Sequence, residues 1–257
     1  MTDTHRELSW SRYSKAGLAP ASGWIALEIE TMLYVNGEDW LSFRCSPDKL
    51  ESLAAGFLFN ERIIQSKAEI SSISLSKNLQ TIDVWLTHHA PKPQSWNRTS
   101  GCNSGLSSIN SLAGLGVLSQ HPICISQARD AVNLLQSELK SSSSQTNGVH
   151  NTVLVKDRQL VSSSLDIGRH NTLDKIAGDC LLRGISPRDC TLTTTGRITL
   201  DMVFKAVKMG VPLLISFHSA SAQALDAARE SGMVLVSHAR GTQMDILTGT
   251  ERMIFSD

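Results

Sequence analysis

One cysteine lies in a sequence context that favours an accessible, reactive thiol. Cys102 sits among small and polar residues in G-C-N-S-G, and the next apolar residue is Leu106. We expect a helix to start at Leu106, and a helix N-terminus there would favour the thiolate. A thiolate can attack a sulfur atom and carry it as a persulfide. A tight glycine turn that merely accommodates a cysteine fits the same residues, so both interpretations stay open at this point.

The remaining cysteines show no pattern that indicates chemistry. They are Cys45, Cys124, Cys180 and Cys190. An odd total of five cysteines with irregular spacing argues against a disulfide framework and against a C-x-x-C metal site. We therefore expect these four to be small buried apolar residues.

Basic and small residues follow each of four predicted strands in the second half of the chain. The turns are D-I-G-R-H-N at 166–171, G-R at 196–197, H-S-A-S at 218–221 and H-A-R-G-T-Q at 238–243. Ligands of open parallel sheets bind beyond the carboxyl ends of the strands, so these turns could converge on one crevice. Arginine side chains and helix N-termini both suit phosphate. The pattern predicts a phosphate-bearing ligand held by Arg169, Arg197 and Arg240, unless these are ordinary solvated surface residues.

Several familiar catalytic motifs are absent from the sequence. It contains neither G-x-G-x-x-G nor a P-loop, which argues against a dinucleotide-dependent dehydrogenase and a P-loop enzyme. It lacks G-x-S-x-G and the P-C-x-x-C part of a zinc deaminase site. No metal site is predicted.

The first part of the chain predicts a small α+β unit. Residues 1–20 have no periodicity and are expected to form a loose arm. Strands are expected on both sides of Asn36-Gly37, a favoured hairpin turn, and a helix is expected to open at Ser46-Pro47. Two further strands follow at 70–75 and 81–86. The proline-containing segment 87–98 is typical of a linker.

The rest of the chain predicts an α/β domain. A hairpin is expected around Asp157-Arg158, and Asn171 is expected to cap a helix that ends before Gly184. A second helix is expected from Thr199 to Gly210. Alternating strands and helices of this length favour a mostly parallel sheet.

Composition places the chain among ordinary globular proteins. It has 257 residues, 41% of them hydrophobic, with 24 basic and 24 acidic side chains and a net charge of zero. This balance, without basic runs, argues against a nucleic-acid-binding protein. No apolar stretch is long enough to span a membrane, and the polar N-terminus has no signal-peptide core, so we expect a cytoplasmic protein.

Collinear motifs resemble those of the FdhD family of formate dehydrogenase accessory sulfurtransferases. The segment D-I-G-R-H-N-T-L-D-K at 166–175 is similar to that family's D-V-G-R-H-N-A-x-D-K. Further similar segments are G-F-L-F-N-E-R-I-I at 56–64, N-G-V-H at 147–150, T-G-R-I-T-L-D-M-V at 195–203, G-V-P-L-L-I-S at 210–216 and A-R-G-T-Q-M-D-I at 239–246. The resemblance covers roughly residues 24–250.

The resemblance implies a fold, a function and partners. The fold would be α/β, a cytidine-deaminase-like three-layer sandwich (residues 99–257) behind a smaller N-terminal α+β region (residues 1–98). The protein would accept persulfide sulfur from a cysteine desulfurase and pass it to the molybdenum bis(molybdopterin guanine dinucleotide) cofactor, bound as a substrate that GDP could mimic. The formate dehydrogenase catalytic subunit would be a second partner, and the protein would be a homodimer.

The resemblance also assigns roles to individual residues. Cys102 would carry the sulfur. The cofactor would contact two groups of residues. The first, implied by the resemblance, is the family's cofactor-binding stretch His238, Ala239, Arg240, Gly241, Thr242 and Gln243; the second, taken from the turns that follow the predicted strands, is Arg169, His170, Gly196, Arg197, His218 and Ser219.

The reactive loop departs from the family pattern in one respect. Family members commonly show C-G-x-C, with two cysteines, whereas this chain reads C-N-S-G from Cys102. A persulfide needs only one thiol, but the loop has no second thiol to act as a relay. A carrier that binds the cofactor without sulfur chemistry is therefore the alternative function.

Overall fold

The chain begins with a two-stranded ribbon where the sequence predicted a loose arm. The computed structural model describes residues 4–94, 97–98, 106–107, 112–113, 118–141, 148–241 and 243–255. Strand β1 (His5–Ser14) pairs antiparallel with β2 (Gly17–Ala26) along its whole length. Most side chains of the ribbon are exposed, including Tyr13 and Leu18. The loose-arm prediction was wrong because these strands satisfy each other's backbone hydrogen bonds without the alternating apolar pattern that a buried face requires.

A four-stranded sheet and one helix form the N-terminal unit. Its strands are β3 (Ile29–Val35), β4 (Glu38–Cys45), β5 (Ile70–Leu75) and β6 (Thr81–Leu86), in the spatial order β4-β3-β6-β5. Asn36 and Gly37 both have positive φ, as the hairpin turn requires. Helix α1 (Leu50–Asn60) packs Leu53 and Phe57 against the sheet. The helix was predicted to open at Ser46, but it begins after Lys49, so that cap is wrong. A short 3-10 turn, Lys67–Glu69, precedes β5.

Two short strands flank the segment that contains Cys102. Strand β7 (Asn97–Arg98) pairs antiparallel with β8 (Leu106–Ser107). The expected helix start at Leu106 is therefore wrong, because this residue belongs to a strand. Cys102 itself lies outside the described residues. Strand β9 (Ile123–Cys124) comes next in the chain.

A six-stranded mixed sheet forms the centre of the second unit. Its strands are β10 (His150–Lys156), β11 (Gln159–Asp166), β12 (Thr191–Thr194), β13 (Leu213–Ser216), β14 (Val234–Arg240) and β15 (Gln243–Thr248), in the order β11-β10-β12-β13-β14-β15. Within the sheet, β12–β13 and β13–β14 pair in parallel, and the other three pairs are antiparallel. The prediction of a mostly parallel sheet was wrong because tight hairpins occupy both edges of the parallel centre.

Helices cover both faces of this sheet. Helix α2 (Ile125–Ser141) buries Val132 and Leu135 against one face. The other face carries α3 (Arg169–Arg183), α4 (Leu200–Met209) and α5 (Ala222–Ser231). As predicted, α3 and α4 end at Gly184 and Gly210. Asn171 does not cap α3, which begins two residues earlier, after Gly168. The 3-10 turn Thr250–Arg252 and strand β16 (Met253–Ile254), which pairs with β9, complete the described chain.

Two glycines let α1 and α3 cross in direct backbone contact. A Cβ atom on Gly56 would lie 1.8 Å from the carbonyl oxygen of Asp174, and one on Gly178 would lie 1.8 Å from that of Ser52. No side chain fits at either position. This crossing joins the N-terminal unit to the helix that begins beside the sheet edge described next.

Candidate functional site

A cavity of about 280 Å³ opens where three helices begin, beyond the carboxyl ends of β12 and β13. Helix α3 starts at Arg169, Thr199 precedes α4, and Ser221 precedes α5. The residues that line this cavity, called the Arg169–Arg197 pocket below, are Arg169, Arg197, Ile198, Thr199, Ser219, Ala220 and Ser221. Three predicted site residues, Arg169, Arg197 and Ser219, therefore lie together. Helix N-termini and arginines are both suited to binding an anion.

Backbone contacts fix the walls of the pocket. The Ile198 N–H donates to the Ser219 carbonyl, and the Ser221 N–H donates to the Ile198 carbonyl, both at 3.0 Å. Gly196 permits close packing of Arg169, because a Cβ at 196 would lie 2.8 Å from the Arg169 Cβ. Arg169 is 3% exposed, whereas Arg197 is exposed.

His150 reports the positive charge around this pocket. Its pKa is lowered by burial first, and then by the charges of Arg169, His218 and Arg197. The imidazole is therefore neutral near pH 7. The shift also places His218, another predicted site residue, near the same charges. An anion would be attracted to the charges of Arg169 and Arg197.

His170 supports the pocket wall from the protein interior. It is 2% exposed, and its Nε2 lies 3.2 Å from Thr199 Oγ1 and 4.0 Å from Asp201 Oδ2. Its pKa is held well below the usual range by burial and by the nearby charges of Lys205 and Arg169. The sequence predicted that His170 touches the cofactor. In the structure this side chain contacts Thr199 and is absent from the described lining of the pocket.

The β14–β15 hairpin carries the last group of predicted site residues. The His238 N–H donates to the His218 carbonyl at 3.2 Å, which ties the hairpin to the end of β13. The His238 side chain turns outward, with Nδ1 2.9 Å from Asp245 Oδ2. The backbone of His238 has a positive φ of 48°, at a point where the pairing of β14 with β15 is irregular.

The rest of the hairpin does not line the pocket. Ala239 is buried, whereas Arg240, Gly241 and Gln243 are exposed. Thr242 lies outside the described residues. Since none of the described hairpin residues is among those lining the cavity, their predicted contact with the cofactor stays a prediction.

Comparison with known proteins decides the family. The FdhD/NarQ family model matches residues 26–254. The chain belongs to the FdhD/NarQ family. It is 31% identical to the sulfur carrier protein FdhD of Bacillus licheniformis, over 95% of each chain. It is 34% identical to the sulfur carrier protein FdhD of Bacillus pumilus, over 88% of each chain.

A solved structure shares the fold of this FdhD/NarQ chain. It is a crystal structure of a protein from Desulfotalea psychrophila described as a formate dehydrogenase accessory protein. It superposes with a TM-score of 0.80 at 24% identity, covering 98% of this chain and all of the other. The mixed α/β architecture is thus shared across the two chains.

The cysteines of this FdhD/NarQ chain differ in their surroundings. Burial raises the pKa of Cys45 and Cys180 to about 12 and that of Cys190 to about 11. These three thiols stay protonated at neutral pH and are buried, as expected from the sequence. Cys124 is half-buried rather than buried, although its neighbours Ile123 and Ile125 are buried. Cys102 lies outside the described residues.

Sequence reasoning missed the buried ion pairs of the D-I-G-R-H-N-T-L-D-K motif. Lys175 is fully buried and lies 2.7 Å from both Asp166 and Asp48. Asp174 accepts hydrogen bonds of 2.6 Å from Lys205. The only signal for these ion pairs was that an acidic and a basic residue are adjacent on one helix. Such residues are usually solvent-exposed, so the signal did not indicate burial. His150 lies in the family-like segment N-G-V-H, but no role in the site was predicted for it.

The described residues show no features of a metal centre or of a membrane-spanning helix. They contain no cluster of three or more His, Cys, Asp or Glu side chains that could hold a metal ion. Among the same residues, no helix is both long and apolar enough to cross a membrane.

Proposed function

We propose that this protein is a sulfur carrier that delivers sulfur to the molybdenum bis(molybdopterin guanine dinucleotide) cofactor for formate dehydrogenase. The observation that carries the proposal is the convergence of Arg169, Arg197 and three helix N-termini on one pocket of an FdhD/NarQ chain. The cofactor is the substrate here, and GDP represents its nucleotide part. The names of the relatives from two Bacillus species support the sulfur-transfer role.

Phosphate groups of the cofactor would bind in the Arg169–Arg197 pocket. Arg169 would donate from the buried wall and Arg197 from the exposed side. Backbone N–H groups at the starts of α4 and α5 would add further donors. No Asp or Glu is among the described lining residues, and the neighbouring acidic side chain Asp201 lies close enough to Arg169 to interact with its charge.

Cys102 would carry the sulfur. Its thiolate would attack the outer sulfur of a persulfide on a cysteine desulfurase, forming Cys102–S–SH and releasing the desulfurase thiolate. The bound cofactor would then supply an electron pair to the outer sulfur, so that the S–S bond breaks, the sulfur stays on the cofactor, the Cys102 thiolate leaves and the S–H proton passes to solvent. The high pKa values of Cys45, Cys180 and Cys190 favour Cys102 for this role, because a protonated thiol is a poor nucleophile.

The finer features implied by the family remain part of this proposal. They are the cytidine-deaminase-like classification of the fold, the boundary at residues 98 and 99, the cytoplasmic location, the homodimer, and the formate dehydrogenase catalytic subunit as recipient. Helices on both faces of the six-stranded sheet support the three-layer description.

A second candidate function is a cofactor carrier that performs no sulfur chemistry. It is favoured by one feature, the single cysteine of the loop C-N-S-G. Such a protein would use the same pocket and would form no persulfide.

Mass spectrometry separates the two functions. The purified protein is incubated with a cysteine desulfurase and cysteine, and the intact mass is measured before and after a thiol reductant. Sulfur transfer predicts a reducible gain of one sulfur that is absent from Cys102→Ala and present in Cys124→Ala, the matched control. A gain that persists in Cys102→Ala would place the persulfide elsewhere, and no gain in the wild type would support the carrier without chemistry.

A further inference from the structure

We propose that Asp166 and Asn171 are positioning residues that hold Arg169 in its pocket by tying the start of α3 to segment 44–48 of the N-terminal unit. Neither side chain lines the described pocket. The inference rests on the proposed function only for its ligand, since the arrangement of the helix start can be measured without one.

Asp166 is fully buried and surrounded by donors. Its Oδ1 accepts from the Gly168 N–H at 2.8 Å and from Asn171 Nδ2 at 2.9 Å. Its Oδ2 accepts from the Ser46 N–H at 3.0 Å and lies 2.7 Å from Lys175 Nζ. Four donors thus meet one carboxylate, which fixes its orientation and the backbone that leads into α3.

Asn171 connects the same carboxylate to the N-terminal unit. Its Nδ2 group donates to the Arg44 carbonyl at 2.9 Å as well as to Asp166. Gly168 completes this packing, because a Cβ there would lie 2.9 Å from Asn171 Nδ2. The segment from Arg44 to Asp48 and the first turn of α3 therefore form one rigid contact.

Arg169 lies inside this contact. It is flanked in sequence by Gly168, whose N–H is held by Asp166, and it is followed two residues later by Asn171. Its side chain packs on Gly196 with little room to shift. If the first turn of α3 loosens, Arg169 loses its place opposite Arg197, and the pocket loses its preformed geometry.

The chain offers a closely matched control at the next turn of the same helix. Asn60 Nδ2 donates to Asp174 Oδ1 at 2.7 Å, so it also joins the N-terminal unit to α3 through a buried amide and carboxylate. This contact lies beyond the first turn. Asn60→Ala and Asn171→Ala should both lower the melting temperature, but only Asn171→Ala should disturb the pocket.

The test combines GDP titration with hydrogen exchange on the full-length protein at a temperature where all variants are folded. For Asn171→Ala we expect a loss of GDP affinity of about tenfold and faster exchange in peptides covering residues 166–172 without ligand. Asn60→Ala should retain affinity to within about twofold and show wild-type exchange in those peptides.

Each outcome decides the proposal. Wild-type exchange and affinity in Asn171→Ala would overturn it, as would an equal loss of affinity in Asn60→Ala, because that would indicate a general effect of stability. If the wild type itself binds no GDP, the proposed ligand is wrong. The exchange comparison then still decides whether Asn171 orders the helix start.

Discussion

The two ends of the central sheet carry crevices of similar size and different charge arrangement. At the amino end of β12, a crevice of about 310 Å³ contains Lys156 with Asp189 and Arg158 with Asp130. These pairs lie 3.4 Å and 3.0 Å apart. We call this the Lys156–Asp189 crevice. At the carboxyl end, the Arg169–Arg197 pocket has no carboxylate among its described lining residues.

The difference shows why size alone does not locate a ligand site. Cations whose charge is balanced by nearby carboxylates offer little to an incoming anion. Helix direction adds to the contrast, because three helices begin at the Arg169–Arg197 pocket and present their N–H groups there. The crevice at the other end has the start of only one helix, α2, among its described lining residues, and each of its two cations is paired with an aspartate.

The two ends of the sheet also differ in the contacts that support them. The largest predicted effect is on the free energy of unfolding when one of these contacts is disrupted. Gly178→Ala should lower the free energy of unfolding by about 3 kcal/mol or more, because its Cβ would strike the Ser52 backbone across the α1–α3 crossing. Arg158→Gly in the opposite hairpin should change it by less than about 1 kcal/mol, since it relieves a positive φ but loses an exposed ion pair. Urea unfolding measures both.

Helix propensity alone predicts the opposite change in the free energy of unfolding for Gly178→Ala. Alanine is favoured over glycine inside a helix by about 1 kcal/mol, so an unconstrained Gly178→Ala would be stabilised. A wild-type or increased stability would therefore show that the two helices do not meet through their backbones.

A smaller effect is expected from the hairpin next to the pocket. Arg240→Ala should weaken GDP binding by only about threefold. The effect is small because the Arg240 side chain is exposed and lies outside the described lining. Calorimetric titration measures the affinity for GDP, and Gln243→Ala, which changes an exposed and uncharged residue of the same hairpin, is the control. A loss as large as that of Arg169→Ala would show that the hairpin is a principal part of the binding site.

Local signals in the sequence predicted much of the fold. Asn36-Gly37 and Asp157-Arg158 mark hairpins because both pairs adopt the positive φ that tight turns need. Gly184 and Gly210 end helices in the left-handed conformation for the same reason. These features depend on neighbouring residues only, and the family motifs then identified the family.

Features that depend on distant residues could not be predicted in this way. The start of α3 lies before Asn171 because this side chain reaches Asp166 and the Arg44 carbonyl instead of capping the helix. The two edge hairpins make the sheet mixed, which strand and helix lengths do not reveal. The grouping of Arg169, Arg197 and Ser219 followed from strand ends, but the buried position of His170 depends on its contact with Thr199.

GDP titration of matched arginine and lysine variants at the two ends tests the central claim most directly. We expect Arg169→Ala and Arg197→Ala each to weaken GDP binding by about tenfold to a hundredfold, with the larger loss at the buried Arg169. Lys156→Ala and Arg158→Ala remove the same charge from the Lys156–Asp189 crevice and should leave affinity within about twofold of the wild type. Unchanged binding in the first pair, or a greater loss in the second, would contradict the assignment of phosphate binding to the Arg169–Arg197 pocket.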